Sequence, residues 1–125
     1  MKTISTNLAP AAIGPYSQAI VVDGLLFASG QIPLSPEMGE VVSGGIKEQT
    51  TQVMQNIAAV LAAADSDFTK VVKTTCFLTS MEHFTAFNEI YAQYFTGKPA
   101  RSCVAVSALP RGVLVEVEVI AKVPG

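Results

Sequence analysis

The order of apolar patterns along the chain predicts an α+β sandwich, a mixed β-sheet with two helices on one face. Three observations carry the prediction. A two-residue link, Asp23-Gly24, joins two apolar runs; segments 46–64 and 84–95 repeat apolar residues every three or four positions; and segment 113–123 alternates between two unlike faces. Half of the 125 residues are hydrophobic and only 14% are charged, with a mean hydropathy of +0.42. That composition excludes an intrinsically disordered chain. At this length one domain buries about two-thirds of its unfolded surface without disulfide or metal staples, so residues 1–125 are expected to form a single domain. The apolar excess beyond one core predicts surface that is covered when copies of the chain assemble.

The chain opens with Ala9-Pro10-Ala11-Ala12-Ile13-Gly14-Pro15, where two prolines and a glycine favour an extended, turning approach over a helix. Runs 16–22 and 25–29 follow as strands, with Asp23-Gly24 suited to a type I′ turn between them. Pro33 and Pro36 end the second strand or place it at an edge, and a loop runs to Gly45. Ile46, Val53, Met54, Ile57, Val60, Leu61 and Ala64 then form the apolar stripe of a helix that stops before Asp65-Ser66-Asp67. Segment 71–79, rich in valine, threonine and phenylalanine, reads as a strand.

The second helix, 84–95, carries Phe84, Phe87, Tyr91, Tyr94 and Phe95 at helical spacing, and Thr96-Gly97-Lys98-Pro99 ends it. Strand 102–107, the turn Leu109-Pro110-Arg111-Gly112 and strand 113–123 complete the order β-β-α-β-α-β-β. In the last strand Val113, Val115, Val117 and Val119 share one side, and Leu114, Glu116, Glu118 and Ile120 the other. Two helices cover one face of such a sheet. Another subunit is the expected cover for the other.

Eight basic against ten acidic residues give a net charge of −2 and a pI near 5.2. Nucleic acid is bound largely by neutralising phosphates, and no basic run exists to do so, so it is not an expected partner. Cys76 and Cys103 lie 27 positions apart without C-x-x-C spacing, and His83 is the single histidine. A zinc or iron site is not expected. Residues 1–7 lack an apolar signal core, and no apolar run approaches the roughly 20 residues that span a bilayer. No membrane association and a cytoplasmic location are expected.

Arg101 is one of two arginines in the chain. Its planar guanidinium suits bidentate recognition of a carboxylate, set against the commoner role of a surface or salt-bridging arginine. Glu116 stands among Leu114, Val115 and Val117, where desolvation raises a carboxyl's pKa toward useful acid–base chemistry; Glu118 has the same claim. The competing account makes one of the two an edge-strand guard against aggregation. If the strand is already extended at Arg101, period-two arithmetic puts Arg101 and Cys103 on one face. Cys103 lacks a neighbouring histidine to activate it, which disfavours a nucleophilic role, and Cys76 reads as packing. Tyr16, Ser29 and Asn88 are polar groups in apolar settings, suited to lining a pocket or to satisfying backbone groups.

Gly14-Pro15-Tyr16-Ser17-Gln18, Ser29-Gly30-Gln31-Ile32-Pro33, Val72-Lys73-Thr74-Thr75, Pro99-Ala100-Arg101-Ser102-Cys103-Val104, Leu109-Pro110 and Val115-Glu116-Val117-Glu118 resemble, in order, the motifs of the RidA (YjgF) family of reactive-intermediate deaminases. The resemblance implies a chorismate-mutase-like fold, a homotrimer around a central barrel of sheets, and three clefts between subunits. It implies hydrolysis of small 2-imino acids, 2-iminobutanoate and 2-iminopropanoate, to 2-oxo acids and ammonia without a cofactor. Arg101 then resembles the carboxylate anchor and Glu116 the acid that activates water. Cys103 resembles a residue whose backbone holds the ligand, and Tyr16, Ser29, Gly30 and Asn88 resemble cleft positions. Ile13, Phe87 and Leu109 are candidate apolar walls. Ala105 stands where the family often has an acidic residue, and the segment before Pro99 is shorter than in many members. The rival expectation is a non-catalytic carboxylate sensor or a stress-linked interaction protein.

Overall fold

A computed structural model describes residues 1–124. The strands are β1 (Lys2–Ile4), β2 (Ala19–Val22), β3 (Leu25–Ala28), β4 (Val71–Leu78), β5 (Ala100–Ala105) and β6 (Val115–Lys122); the helices are α1 (Ile46–Ala63) and α2 (Phe84–Tyr94). The strands form one sheet in the order β1-β2-β3-β6-β4-β5. All neighbours run antiparallel except β4 and β5, which are parallel and joined through α2. This is the mixed sheet that the apolar patterns predict.

Asp23 and Gly24 both take positive φ, 52° and 76°, the requirement of a type I′ turn whose twist matches the strands it joins. The turn sets the β2–β3 register, with Val22 opposite Leu25 and Ala19 opposite Ala28. Helix α1 buries Val53, Met54, Ile57, Val60 and Leu61, the stripe spaced for one helical face. Helix α2 adds Phe87 and Tyr91, and Phe95 follows it into the core. Facing them are Leu26, Cys76, Leu78, Val115, Val117, Val119 and Ala121. The alternation of β6 is strict: Val115, Val117, Val119 and Ala121 are buried, while the residues between them are not.

Both helices therefore cover one side of the sheet. On the other side lie Phe27 at 43% and Val104 at 45% exposure, with Phe77, Glu116, Glu118 and Ile120 half-buried around them. No helix among the described residues is long and apolar enough to cross a membrane.

Three expectations are corrected. Strand β1 lies in a segment with no readable alternation; its partner Ala19–Val21 decides it, through pairs such as Thr3 with Ile20. Strand β5 begins at Ala100, two residues earlier than expected, because its parallel register with β4 starts at Lys73. Strand β6 lies between β3 and β4, so neither Glu116 nor Glu118 guards a sheet edge.

Candidate functional site

Two cavities hold most of the candidate residues. The first, about 430 Å³, is lined by Tyr16, Ser29, Gly30 and Glu116, with apolar walls from Ile32 and Pro110. It forms where the β2–β3 hairpin ends against β6. Gln31 exchanges both backbone hydrogen bonds with Val117, its N–H at 2.8 Å from the Val117 carbonyl and its carbonyl at 3.1 Å from the Val117 N–H. That bridge lays Gly30 beside Glu116. A Cβ built on Gly30 would meet the Glu116 carboxylate, lying 2.8 Å from Cδ. Only glycine leaves room for the acid at that height.

Glu116 is half-buried on the uncovered face. Burial raises its pKa above the usual carboxylate range, and the like charge of Glu118 adds to the shift. The Ser29 hydroxyl donates to the Ser17 carbonyl at 2.6 Å and ties the Tyr16 loop to the end of β3.

Two residues that sequence reasoning left without a role hold this cavity's walls. The buried Gln18 side chain receives the Thr6 N–H at 2.7 Å and donates to the Pro10 carbonyl at 2.8 Å, pinning the Pro10-Ala11 wall. Asn56, 1% exposed in α1, donates to the carbonyls of Ile32 and Leu34 at 3.2 and 3.0 Å. A polar residue on the buried stripe of an amphipathic helix is the signal that marks it, since such a side chain needs partners.

The second cavity, about 570 Å³, is lined by Asn88, Tyr91, Phe95, Lys98, Pro99 and Arg101. Arg101 donates through Nη1 to Asn88 Oδ1 at 2.6 Å. Its guanidinium carbon lies 4.7 Å from the Tyr91 ring centre and 5.5 Å from that of Phe84. Lys98 takes φ 52° in the turn that leads into β5 and adds a second cation to the cavity wall. The only ion pair among the described residues is Lys47–Glu89, elsewhere.

Cys103 shares the Arg101 face, and both are half-buried while Ala100, Ser102 and Val104 are exposed. Cys103 lines neither cavity. Burial raises its thiol pKa despite the Arg101 charge, and burial pushes Cys76, its register partner, up to about 12. Both thiols are therefore held in the poorly nucleophilic protonated form. Of the candidate wall residues, Ile13 is 86% exposed, Phe87 is fully buried in the core, and Leu109 lines neither cavity of the single chain. Pro10, Ala11, Ile32, Leu34 and Pro110 supply the apolar lining of the first cavity.

A six-stranded mixed sheet backed by two helices, with an acid cleft at one end of the hairpin and an arginine cleft beneath a helix, defines a chorismate-mutase-like α+β protein. The solved structure of a Yersinia pestis protein of the conserved Rid family has the same fold, with a TM-score of 0.95 at 55% identity over 98% of each chain. The family model described as endoribonuclease L-PSP matches residues 6–123, and the chain belongs to that family, the RidA (YjgF) family. A mouse protein named 2-iminobutanoate/2-iminopropanoate deaminase is 52% identical, the match covering 96% of this chain and 90% of the mouse protein. A Lactococcus lactis protein named for a proposed regulatory role, AldR, is 58% identical over 98% of each chain.

Proposed function

We propose that this protein hydrolyses reactive 2-imino acids, 2-iminobutanoate and 2-iminopropanoate among them, to 2-oxo acids and ammonia. The observation that carries the reading is the pairing of a guanidinium at one cavity with a half-buried carboxylate of raised pKa at the other. The named deaminase among its relatives supports the same chemistry.

Arg101 holds the substrate carboxylate through two parallel N–H donors. That anchor fixes the protonated imine carbon near one water, and such positioning is worth several kcal/mol. As the water oxygen attacks, Glu116 takes its proton and a carbinolamine forms. Glu116 then returns the proton to the amine nitrogen; the C–N bond breaks, ammonia leaves, and the carboxylate of Glu116, now ionised again, takes the remaining hydroxyl proton as the C=O bond closes. Positioned acid–base catalysis of this kind contributes about a hundredfold or more. The imine carbon is already electrophilic, so no covalent nucleophile is required.

In one chain Arg101 and Glu116 lie on opposite faces of the sheet, so the complete site needs two copies. Packing of the uncovered faces, with Phe27 and Val104 inside, sets the Arg101 cleft of one subunit against the Glu116 cleft of the next. A homotrimer with three inter-subunit clefts meets this need, and a cytoplasmic location fits the small-molecule substrate. A sensor would need the arginine but not a seated acid, and the Gly30–Glu116 approach favours catalysis over that alternative.

The test follows 2-oxobutanoate formation from a threonine dehydratase while semicarbazide competes for the imine. Wild-type protein is expected to restore oxo-acid formation, and Arg101→Ala to lower kcat/KM by about a hundredfold. Full activity in Arg101→Ala would overturn the carboxylate anchor.

A further inference from the structure

Arg101 does not stand alone at its cavity. Phe84, Asn88 and Tyr91 occupy positions i, i+4 and i+7 of α2, which places them on one stripe of the helix. All three meet the same guanidinium: Asn88 Oδ1 accepts from Nη1 at 2.6 Å, and the rings of Tyr91 and Phe84 lie 4.7 and 5.5 Å from its carbon. The Tyr91 ring is fixed in turn. Its hydroxyl shares a buried 2.8 Å hydrogen bond with Thr74 Oγ1, and its ring packs at a tilt against Phe87 and Phe95 with centroids 5.6 and 4.4 Å away. Thr74, with no exposed surface, is the β4 residue directly paired with Arg101 of β5.

We propose that Tyr91 is a positioning residue for the carboxylate anchor: locked to Thr74, its ring face holds the Arg101 guanidinium in the orientation that aims its unused donors into the cavity. A free arginine side chain has many rotamers and loses their entropy when it binds. A guanidinium already stacked on an aromatic ring and tied at Nη1 has given up that freedom before the ligand arrives. The aromatic face also attracts the cation without consuming an N–H, whereas a carboxylate partner would occupy the donors the substrate needs. The ring thus preserves the fork for bidentate binding. The stacked arrangement is built by chain-local spacing on α2 and one strand pairing, so it exists in each copy whether or not copies assemble.

The inference rests on the reading of Arg101 as the carboxylate anchor, and its test has an arm independent of activity. The chain has two arginines, Arg101 and Arg111, so their side-chain Nε–H signals in a nitrogen–proton NMR spectrum are assigned by one substitution. A guanidinium over an aromatic face resonates upfield. Arg101 is expected to do so in wild type and in Tyr91→Phe, and to lose most of the shift in Tyr91→Leu, where only the more distant Phe84 ring remains. In the imine assay Tyr91→Leu is expected to raise KM by about 2- to 30-fold, the span of a cation–π contact, with kcat held within about twofold. Tyr91→Phe, which keeps the ring, should recover most of that loss. Leu61→Ala, a core change in α1 that lowers stability away from Arg101, should leave KM unaltered and separates positioning from simple destabilisation. An Arg101 signal unmoved by Tyr91→Leu, or a wild-type KM in that variant, overturns the proposal. Absence of imine hydrolysis in wild type sinks the deaminase reading instead, and the NMR arm still decides whether Tyr91 holds the guanidinium.

Discussion

Arg101 and Glu116 stand on opposite faces of one sheet. Arg101 pairs with Thr74, whose side chain is buried under α2, while Glu116 pairs with Phe77 on the uncovered side. Side chains alternate along a strand, and backbone hydrogen bonds fill the layer between the faces, so no rotamer change within one chain brings the two groups to a common ligand.

Intermolecular complementation follows from that geometry. Arg101→Ala and Glu116→Gln chains are each expected to keep only about a hundredth of the activity as pure proteins. Unfolded together in equimolar amounts and refolded, they should recover about a quarter of wild-type activity, because random assembly gives that share of clefts both intact residues. Measured imine hydrolysis in the mixture no greater than in either parent would show that one chain, not two, builds the site.

Gly30→Ala should act as a mutation of Glu116 made at a distance. The new methyl occupies the place of the carboxylate, and the flexible end of the glutamate moves aside more readily than the backbone. Turnover is therefore expected to fall by about a hundredfold, the contribution of a lost general base, with little change in melting temperature. A normal rate would mean that the acid works from another position.

Glu118→Gln tests the electrostatics. The Glu118 charge is one cause of the raised Glu116 pKa, after burial. A general base must be ionised, so kcat/KM falls on the acid side as pH drops through that pKa. Removing the neighbouring negative charge eases ionisation of Glu116. The acid limb of the pH–rate profile should move to lower pH, and an unmoved or upward-shifted limb would remove Glu116 as the titrating base.

Asn56→Ala removes two hydrogen bonds from α1 to the Ile32 and Leu34 carbonyls. The half-buried Leu34 carbonyl loses its side-chain donor while the Ile32 carbonyl keeps the Leu34 N–H, which costs about 1–3 kcal/mol of unfolding free energy measured by denaturant. The wall of the acid cavity is released with them, so activity should fall even at temperatures where the variant remains folded. A stability change below about 0.5 kcal/mol would mean that water satisfies the carbonyls equally well.

Local rules made much of this molecule legible. Asp23-Gly24 specified a hairpin because few sequences accept two positive φ values in succession. The stripes of α1 and α2 specified amphipathic helices, and the alternation of β6 separated a valine face from a glutamate face before any partner strand was known. Strand β1 was not legible, since three residues with no alternation become a strand only when β2 offers its edge.

Sequence by itself determined the element types apart from β1, and the presence of an acid among apolar neighbours, because each depends on spacing along the chain; the shared face of Arg101 and Cys103 followed once β5 was found to begin at Ala100. Tertiary structure alone decided which groups meet. The Gln31–Val117 bridge put Gly30 beneath Glu116, the parallel register of β4 and β5 put Thr74 beside Arg101, and α2 laid Phe84, Asn88 and Tyr91 against the guanidinium. The physical reason is register: a shift of one residue reverses every side chain of a strand, and register is set by contacts between segments far apart in the chain.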